Sequence, residues 1–126
     1  MLTGVLVVAH GSRASETEAD LDFVLETVKT KLKKSIVECA FMEFSDRTIE
    51  KGVLALVNKG VTDILVVPYF LFMGIHLKED IPAIIEQVAA KYPNVTISVS
   101  PHLGTDERLA DIVVDRILLH QSEGMH

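Results

Sequence analysis

Four short apolar runs alternate with four longer segments of helical spacing, and this alternation restricts the fold more than any other feature of the chain. The runs are Gly4–Ala9, Ile36–Met42, Thr62–Tyr69 and Val95–Ser100. The first is followed by Leu21, Val24, Leu25, Val28 and Leu32, which share one face of a helix. The next faces are Ile49, Val53, Leu56 and Val57; then Ile81, Ile84, Ile85 and Val88; then Leu109, Ile112, Val113 and Ile117. The order βαβαβαβα predicts a parallel sheet with helices on both faces, a three-layer α/β sandwich of the flavodoxin-like kind. The first and third runs are the most continuously apolar, as central strands covered on both sides should be. The fourth alternates polar and apolar residues and the second carries Glu38, so both read as edges. The predicted strand order is 2-1-3-4.

Start and stop signals agree with this frame. Ser15-Glu16-Thr17-Glu18 has the form of a capping box. Ser45 or Asp46 suits the cap of the second helix, and Thr105-Asp106-Glu107 suits the start of the fourth. Pro82 requires the third helix to begin near Lys78, so that the proline falls in its first turn. Gly60 and Pro93-Asn94 mark helix ends. One domain over residues 1–120 is expected, with a loose tail over 121–126.

With 126 residues, 48% of them apolar and 24% charged, the chain can bury a core. A net charge of −6 argues against nucleic acid as a partner. Cys39, the single cysteine, reads as a buried structural thiol. The N-terminus has no secretory pattern and no apolar run reaches the ~18 residues of a membrane span, so a soluble cytoplasmic protein is expected.

The unusual residues collect at one edge. His10 follows the first strand, Glu43 the second, Phe70 to His76 the third and His102 the fourth. These are the carboxyl ends of parallel strands, where open α/β sheets bind ligands, above all where the strand order reverses. Strands 1 and 3 are neighbours at that reversal. His10 and His76 are therefore candidate metal ligands, with Glu43 as an oxygen ligand or proton acceptor; imidazole suits divalent Co, Ni, Fe and Zn. The stretch Phe70, Leu71, Phe72, Met73, Gly74, Ile75 is either core or an apolar platform for a flat ligand. His102 is a candidate at the rim. His120 and His126 read as surface residues, and the i,i+4 spacing of His76 and Asp80 also allows a simple hydrogen bond at a helix start.

The segments VVAHGSR (Val7–Arg13), AFMEF (Ala40–Phe44), VVPYFLFMGIHLKEDIP (Val66–Pro82) and PHLGTDERLADIV (Pro101–Val113) resemble the sirohydrochlorin chelatase family, the class II chelatases related to ferrochelatase. The resemblance covers nearly the whole chain, and the third segment carries most of its specificity. It implies ATP-independent insertion of a divalent metal into a sirohydrochlorin-type tetrapyrrole in cobalamin or siroheme biosynthesis. Cobalt is the first choice of metal, with iron or nickel as alternatives, and no organic cofactor is expected. By the same resemblance His10 is metal ligand and proton acceptor, His76 the second ligand, Glu43 the acid that meets substrate or metal, and Phe70–Ile75 the substrate stretch. Ser12, Arg13 and Lys78 stand beside these motifs as donors for the substrate's carboxylates. Family members of double length hold two such domains, so a chain of this length implies a homodimer. Two other readings stand beside this one: a phosphohistidine carrier domain of a sugar phosphotransferase system, with His10 phosphorylated, and a metal- or cofactor-binding module without turnover.

Overall fold

Residues 3–124 are described by a computed structural model. The chain runs β1 (Thr3–Ala9), α1 (Glu16–Lys31), β2 (Ile36–Phe41), α2 (Ile49–Asn58), β3 (Asp63–Pro68), α3 (Ile75–Ala89), β4 (Thr96–Val99) and α4 (Glu107–Gly124). All strands pair in parallel, in the order β2-β1-β3-β4, as the apolar patterning predicts. Alternating residues of the strands face opposite sides of the sheet. Leu6, Val8, Ala40, Ile64 and Val66 pack on one side against Ile49, Val53 and Leu56 of α2 and Ile81, Ile85 and Val88 of α3. Val7, Ala9, Val37, Cys39 and Phe41 pack on the other against Leu21 and Leu25 of α1. Gly52 lets α2 approach the sheet, because a Cβ there would stand 2.6 Å from a Leu6 methyl.

Several element boundaries differ from those read in the sequence. Ser15 takes helical dihedrals and makes no side-chain cap, its hydroxyl donating to Glu16 instead, so the capping box does not form. Thr48 caps α2 by accepting from the Lys51 N–H, while Ser45 accepts from the Arg47 N–H within the preceding turn. Asp106 accepts from the Arg108 N–H at the start of α4, as expected. The largest difference is α3. It begins at Ile75 rather than near Lys78, which puts Pro82 inside the helix. Proline there removes the bond to the carbonyl of residue 78; Lys78 is exposed, so water can serve that carbonyl. At the C-terminus α4 continues through Gln121–Gly124, where a loose tail was expected; Met125 and His126 lie outside the described residues. The apolar face expected to bury α4 does not do so: every residue from Ala110 to Ser122 is exposed. Among the described residues no helix is long and apolar enough to cross a membrane.

Candidate active site

The parallel ladder does not stop at the strand ends. Glu43 N–H donates to the His10 carbonyl at 3.0 Å, Met42 N–H to Ala9 at 3.0 Å, and Tyr69 N–H to Val8 at 2.8 Å. The loops after β1, β2 and β3 are thereby zipped together at the carboxyl edge. Gly11 makes the first of these contacts possible. It has a φ of +94°, a conformation that L side chains avoid, and a Cβ on it would lie 2.0 Å from the Glu43 carbonyl oxygen. His10 and Glu43 therefore emerge side by side from adjacent loops, with His10 Nε2 3.2 Å from Glu43 Oε1. Both side chains remain open to solvent, 60% and 48% exposed, so the pair is available to a ligand from above.

The loop that carries Glu43 is held from below by Arg47. Its guanidinium donates to Asp22 at 2.9 and 3.2 Å, to Glu18 at 3.4 Å and to the Cys39 thiol, and it lies over the Phe41 ring at 5.6 Å. This ties α1 to the β2–α2 connection. Hydrogen bonding from Arg47 holds the Asp22 carboxyl below its ordinary range, against the opposing effect of burial. Burial pushes the Cys39 thiol up, so it stays protonated at neutral pH. Cys39 is the buried structural thiol that its place in an apolar run predicts. Above the same loop, Phe44 adopts a φ of +60° and places its ring under the Arg13 guanidinium at 5.0 Å. Neither role of Arg47 or Phe44 is visible in residue spacing. The only hint is that Phe44 adjoins Glu43 in the AFMEF motif.

The six residues of the apolar stretch divide into two groups. Phe70 and Met73 pack against the core under α2 and α3. Leu71, Phe72 and Ile75 stand outside it, with Phe72 84% and Ile75 75% exposed. Gly74 caps α3 with an extended backbone, and nothing lies within 4 Å of where its Cβ would be. His76 is the second residue of the helix and is exposed. Its ring is therefore carried by the first turn of α3, where backbone N–H groups are free and the dipole is positive. Among the described residues no three His, Cys, Asp or Glu side chains are gathered into a metal-holding group. His10 and Glu43 meet, and His76 stands apart from them on the next element of the same edge.

The remaining candidates are placed as follows. Ser12 accepts from the Ala14 N–H and so shapes its own turn, while Arg13 is held by Phe44. Lys78 is exposed on the first turn and a half of α3. His102 lies over Gly104 of its own loop, and that loop is tied to the start of the apolar stretch by a bond from Leu103 N–H to the Phe70 carbonyl at 3.1 Å. A cleft of about 290 Å³ beside His10 is lined by Gly11, Thr17, Asp20, Phe41 and Tyr69. A larger one, about 510 Å³, lies between α2 and α3, and none of the candidate residues lines it. The cleft at His10 is at the small end for organic ligands. A large flat ligand would therefore lie across the edge, over Leu71, Phe72 and Ile75, rather than inside a cavity.

A profile of the CbiX family matches residues 4–119. The chain is 39% identical over 116 residues to a sirohydrochlorin ferrochelatase of Priestia megaterium, covering 92% of this chain and 44% of that protein. It is 30% identical over 123 residues to a sirohydrochlorin cobaltochelatase of Methanosarcina acetivorans, covering 90% and 93%. Among solved structures, the sirohydrochlorin chelatase SirB of Bacillus subtilis subspecies spizizenii, in complex with cobalt, superposes with a TM-score of 0.86 at 36% identity, over 93% of this chain and 50% of that one. The chain thus spans about half the length of the ferrochelatase and of SirB, and nearly the whole of the archaeal protein. The chain belongs to the CbiX family.

Proposed function

We propose that this chain is a sirohydrochlorin chelatase that inserts a divalent metal into the tetrapyrrole without ATP, with cobalt as its first metal and iron or nickel as alternatives. The observation that carries the reading is the placement of an open His10–Glu43 pair beside an exposed apolar step in a chain of the CbiX family. The family's relatives carry both cobalt and iron names, so the choice of cobalt rests on the short archaeal relative that this chain matches nearly end to end.

Insertion makes three demands. The metal must lose its waters, two pyrrole N–H protons must leave, and the ring must bend to expose its nitrogen lone pairs. Leu71, Phe72 and Ile75 offer a surface on which one face of the macrocycle stacks and loses water. His10 can divide its two nitrogens between tasks. With Nε2–H donated to Glu43, Nδ1 keeps a lone pair for the metal. Glu43 then accepts one pyrrole proton, directly or through His10 after the metal has passed to the ring, and the second proton leaves to solvent water at the open edge. His76 reaches over from the first turn of α3 as the second metal ligand. As the metal brings two positive charges and two protons depart, the charge at the site is restored after each turnover. The macrocycle's carboxylates meet the free N–H groups at the start of α3 together with Ser12, Arg13 and Lys78, with His102 at the rim. The working unit is a homodimer in the cytoplasm.

Anaerobic incubation of the protein with sirohydrochlorin and Co²⁺, Fe²⁺ or Ni²⁺ in turn, followed by absorbance, tests the reading. A protein-dependent change with cobalt, faster than with the other two, is expected. No acceleration over the protein-free rate with any metal would overturn it.

A further inference from the structure

Phe44 is the single non-glycine residue with a positive φ among the described residues, at +60°. That conformation crowds a Cβ against the backbone, so an aromatic residue holds it only where the surroundings impose it. Burial is not what imposes it, because Phe44 is 51% exposed. The turn instead delivers the ring to a place under the Arg13 guanidinium, whose Cζ lies 5.0 Å from the ring centroid. Backbone strain of this kind collects at ligand clamps. A guanidinium resting on a ring keeps its N–H donors free, because they lie in its own plane.

Arg13 has no anion of its own. Among the described residues no carboxylate pairs with it, whereas Arg47 and Arg108 each hold one. The acids of the adjoining segments are engaged elsewhere: Glu43 with His10, Glu18 with Arg47 and Glu16 with the Ser15 hydroxyl. The backbone on both sides is fixed as well. Ser12 accepts from the Ala14 N–H across Arg13, and the bond from Glu43 N–H to the His10 carbonyl ties the two loops together just before Phe44. The order along the edge follows from the sheet, in which β1 lies between β2 and β3. Glu43 and Phe44 follow β2, His10 and Arg13 follow β1, and the exposed Phe72 and Ile75 follow β3. The two outer loops leave strands about 10 Å apart. A macrocycle stacked on Phe72 and Ile75 therefore covers the His10–Glu43 pair and turns its far rim toward Arg13.

We propose that Phe44 is a positioning residue: its ring preorganises the Arg13 guanidinium to clamp one carboxylate on the rim of the tetrapyrrole. The proposal rests on the chelatase reading above and assigns how that substrate is anchored. A guanidinium–carboxylate contact made through two parallel hydrogen bonds fixes direction as well as distance. A long side chain loses rotamer freedom when it binds, and the ring has removed part of that freedom in advance. The contact stands on the rim, away from the nitrogens, so it is the same before and after the metal enters. Its loss acts on binding more than on the chemical step.

The test is absorbance titration with sirohydrochlorin in the absence of metal, together with kcat and KM for cobalt insertion. Phe44→Gly should weaken sirohydrochlorin binding by about two- to tenfold, the factor for leaving one long side chain unordered, and should raise KM alike while kcat moves less. Its urea midpoint should stay at the parental value, because glycine accepts a φ of +60° without strain. Phe44→Tyr, which keeps the ring face, should bind as the parent does. Arg13→Gln should weaken binding at least as much as Phe44→Gly, and the two changes together should do no more than Arg13→Gln alone. Parental affinity in Phe44→Gly, an affinity loss shared by Phe44→Tyr, or an effect of Phe44→Gly that persists undiminished in the Arg13→Gln background would overturn the clamp and leave the chelatase reading standing. A parent chain that neither binds sirohydrochlorin nor accelerates insertion would overturn both.

Discussion

Replacing Gly11 by alanine should damage both the fold and the site, and the structure sets the size of the effect. The new Cβ would lie 2.0 Å from the Glu43 carbonyl oxygen, whereas carbon and a carbonyl oxygen approach comfortably to only about 3.3 Å. The two loops must part by roughly 1 Å, which breaks the 3.0 Å bond from Glu43 N–H to the His10 carbonyl. Losing that bond costs about 1 kcal/mol. Holding alanine at a φ of +94° costs about 1–2 kcal/mol more, and residual strain adds to this. The sum is about 2–4 kcal/mol, a large part of the ~5–15 kcal/mol that stabilises an ordinary domain. Urea unfolding at neutral pH should show it as a midpoint lower by roughly 1–2 M. At a temperature where the variant is still folded, metal insertion should also fall, because His10 and Glu43 no longer emerge side by side. A midpoint and an insertion rate both unchanged would refute the claim that close approach at Gly11 positions the pair.

Gly74→Ala should behave oppositely: with an extended backbone and open space around it, the change should cost under about 1 kcal/mol, while absorbance titration should show weaker tetrapyrrole binding. Unchanged binding would remove Gly74 from the platform. Glu43→Gln should slow insertion by roughly 100-fold or more while binding changes far less; if neither moves, Glu43 is only a loop acid. Asp22 has its folded pKa held below the unfolded value near 3.8, so its contribution is present above that pH and is lost as pH falls through the depressed value. Asp22→Asn should therefore lose roughly 1 kcal/mol or less at pH 7, the carboxylate being half exposed, and urea midpoints of variant and parent should converge as pH falls below 3.8. Parallel curves across that range would show that the Arg47 clasp contributes nothing.

Strand order and the site edge were legible because both follow from hydrophobic patterning. Val5 to Ala9 and Ile64 to Val67 read as central strands, and that places His10, Glu43 and Phe70–His76 at one end of the sheet. The helix starts were less legible. Ser15 and Thr17 match a capping box in composition, but the backbone at Ser15 is already helical, so its hydroxyl turns to Glu16. The proline rule misplaced the start of α3 because Lys78 is exposed and its carbonyl can turn to water. That shift moves His76 from a loop onto a helix. The support beneath Glu43 was not legible at all. Arg47 meets Asp22 and Glu18 across more than twenty residues of sequence, and the positive φ of Phe44 has no compositional signature. The apolar pattern of α4 predicts a burial face, yet every residue from Ala110 to Ser122 is exposed, because periodicity marks an apolar face without saying what covers it.

The central claim is that His10, with Glu43, and His76 on the first turn of α3 serve one metal-insertion site. The most direct measurement is the initial rate of cobalt insertion into sirohydrochlorin at limiting Co²⁺, under anaerobic conditions, for the parent chain and for His10→Ala and His76→Ala. Circular dichroism should show both variants folded, since both side chains are exposed. Loss of insertion in each, to the protein-free rate, is the predicted result. Parental turnover by His76→Ala would contradict the shared site, and parental turnover by His10→Ala would contradict the account as a whole.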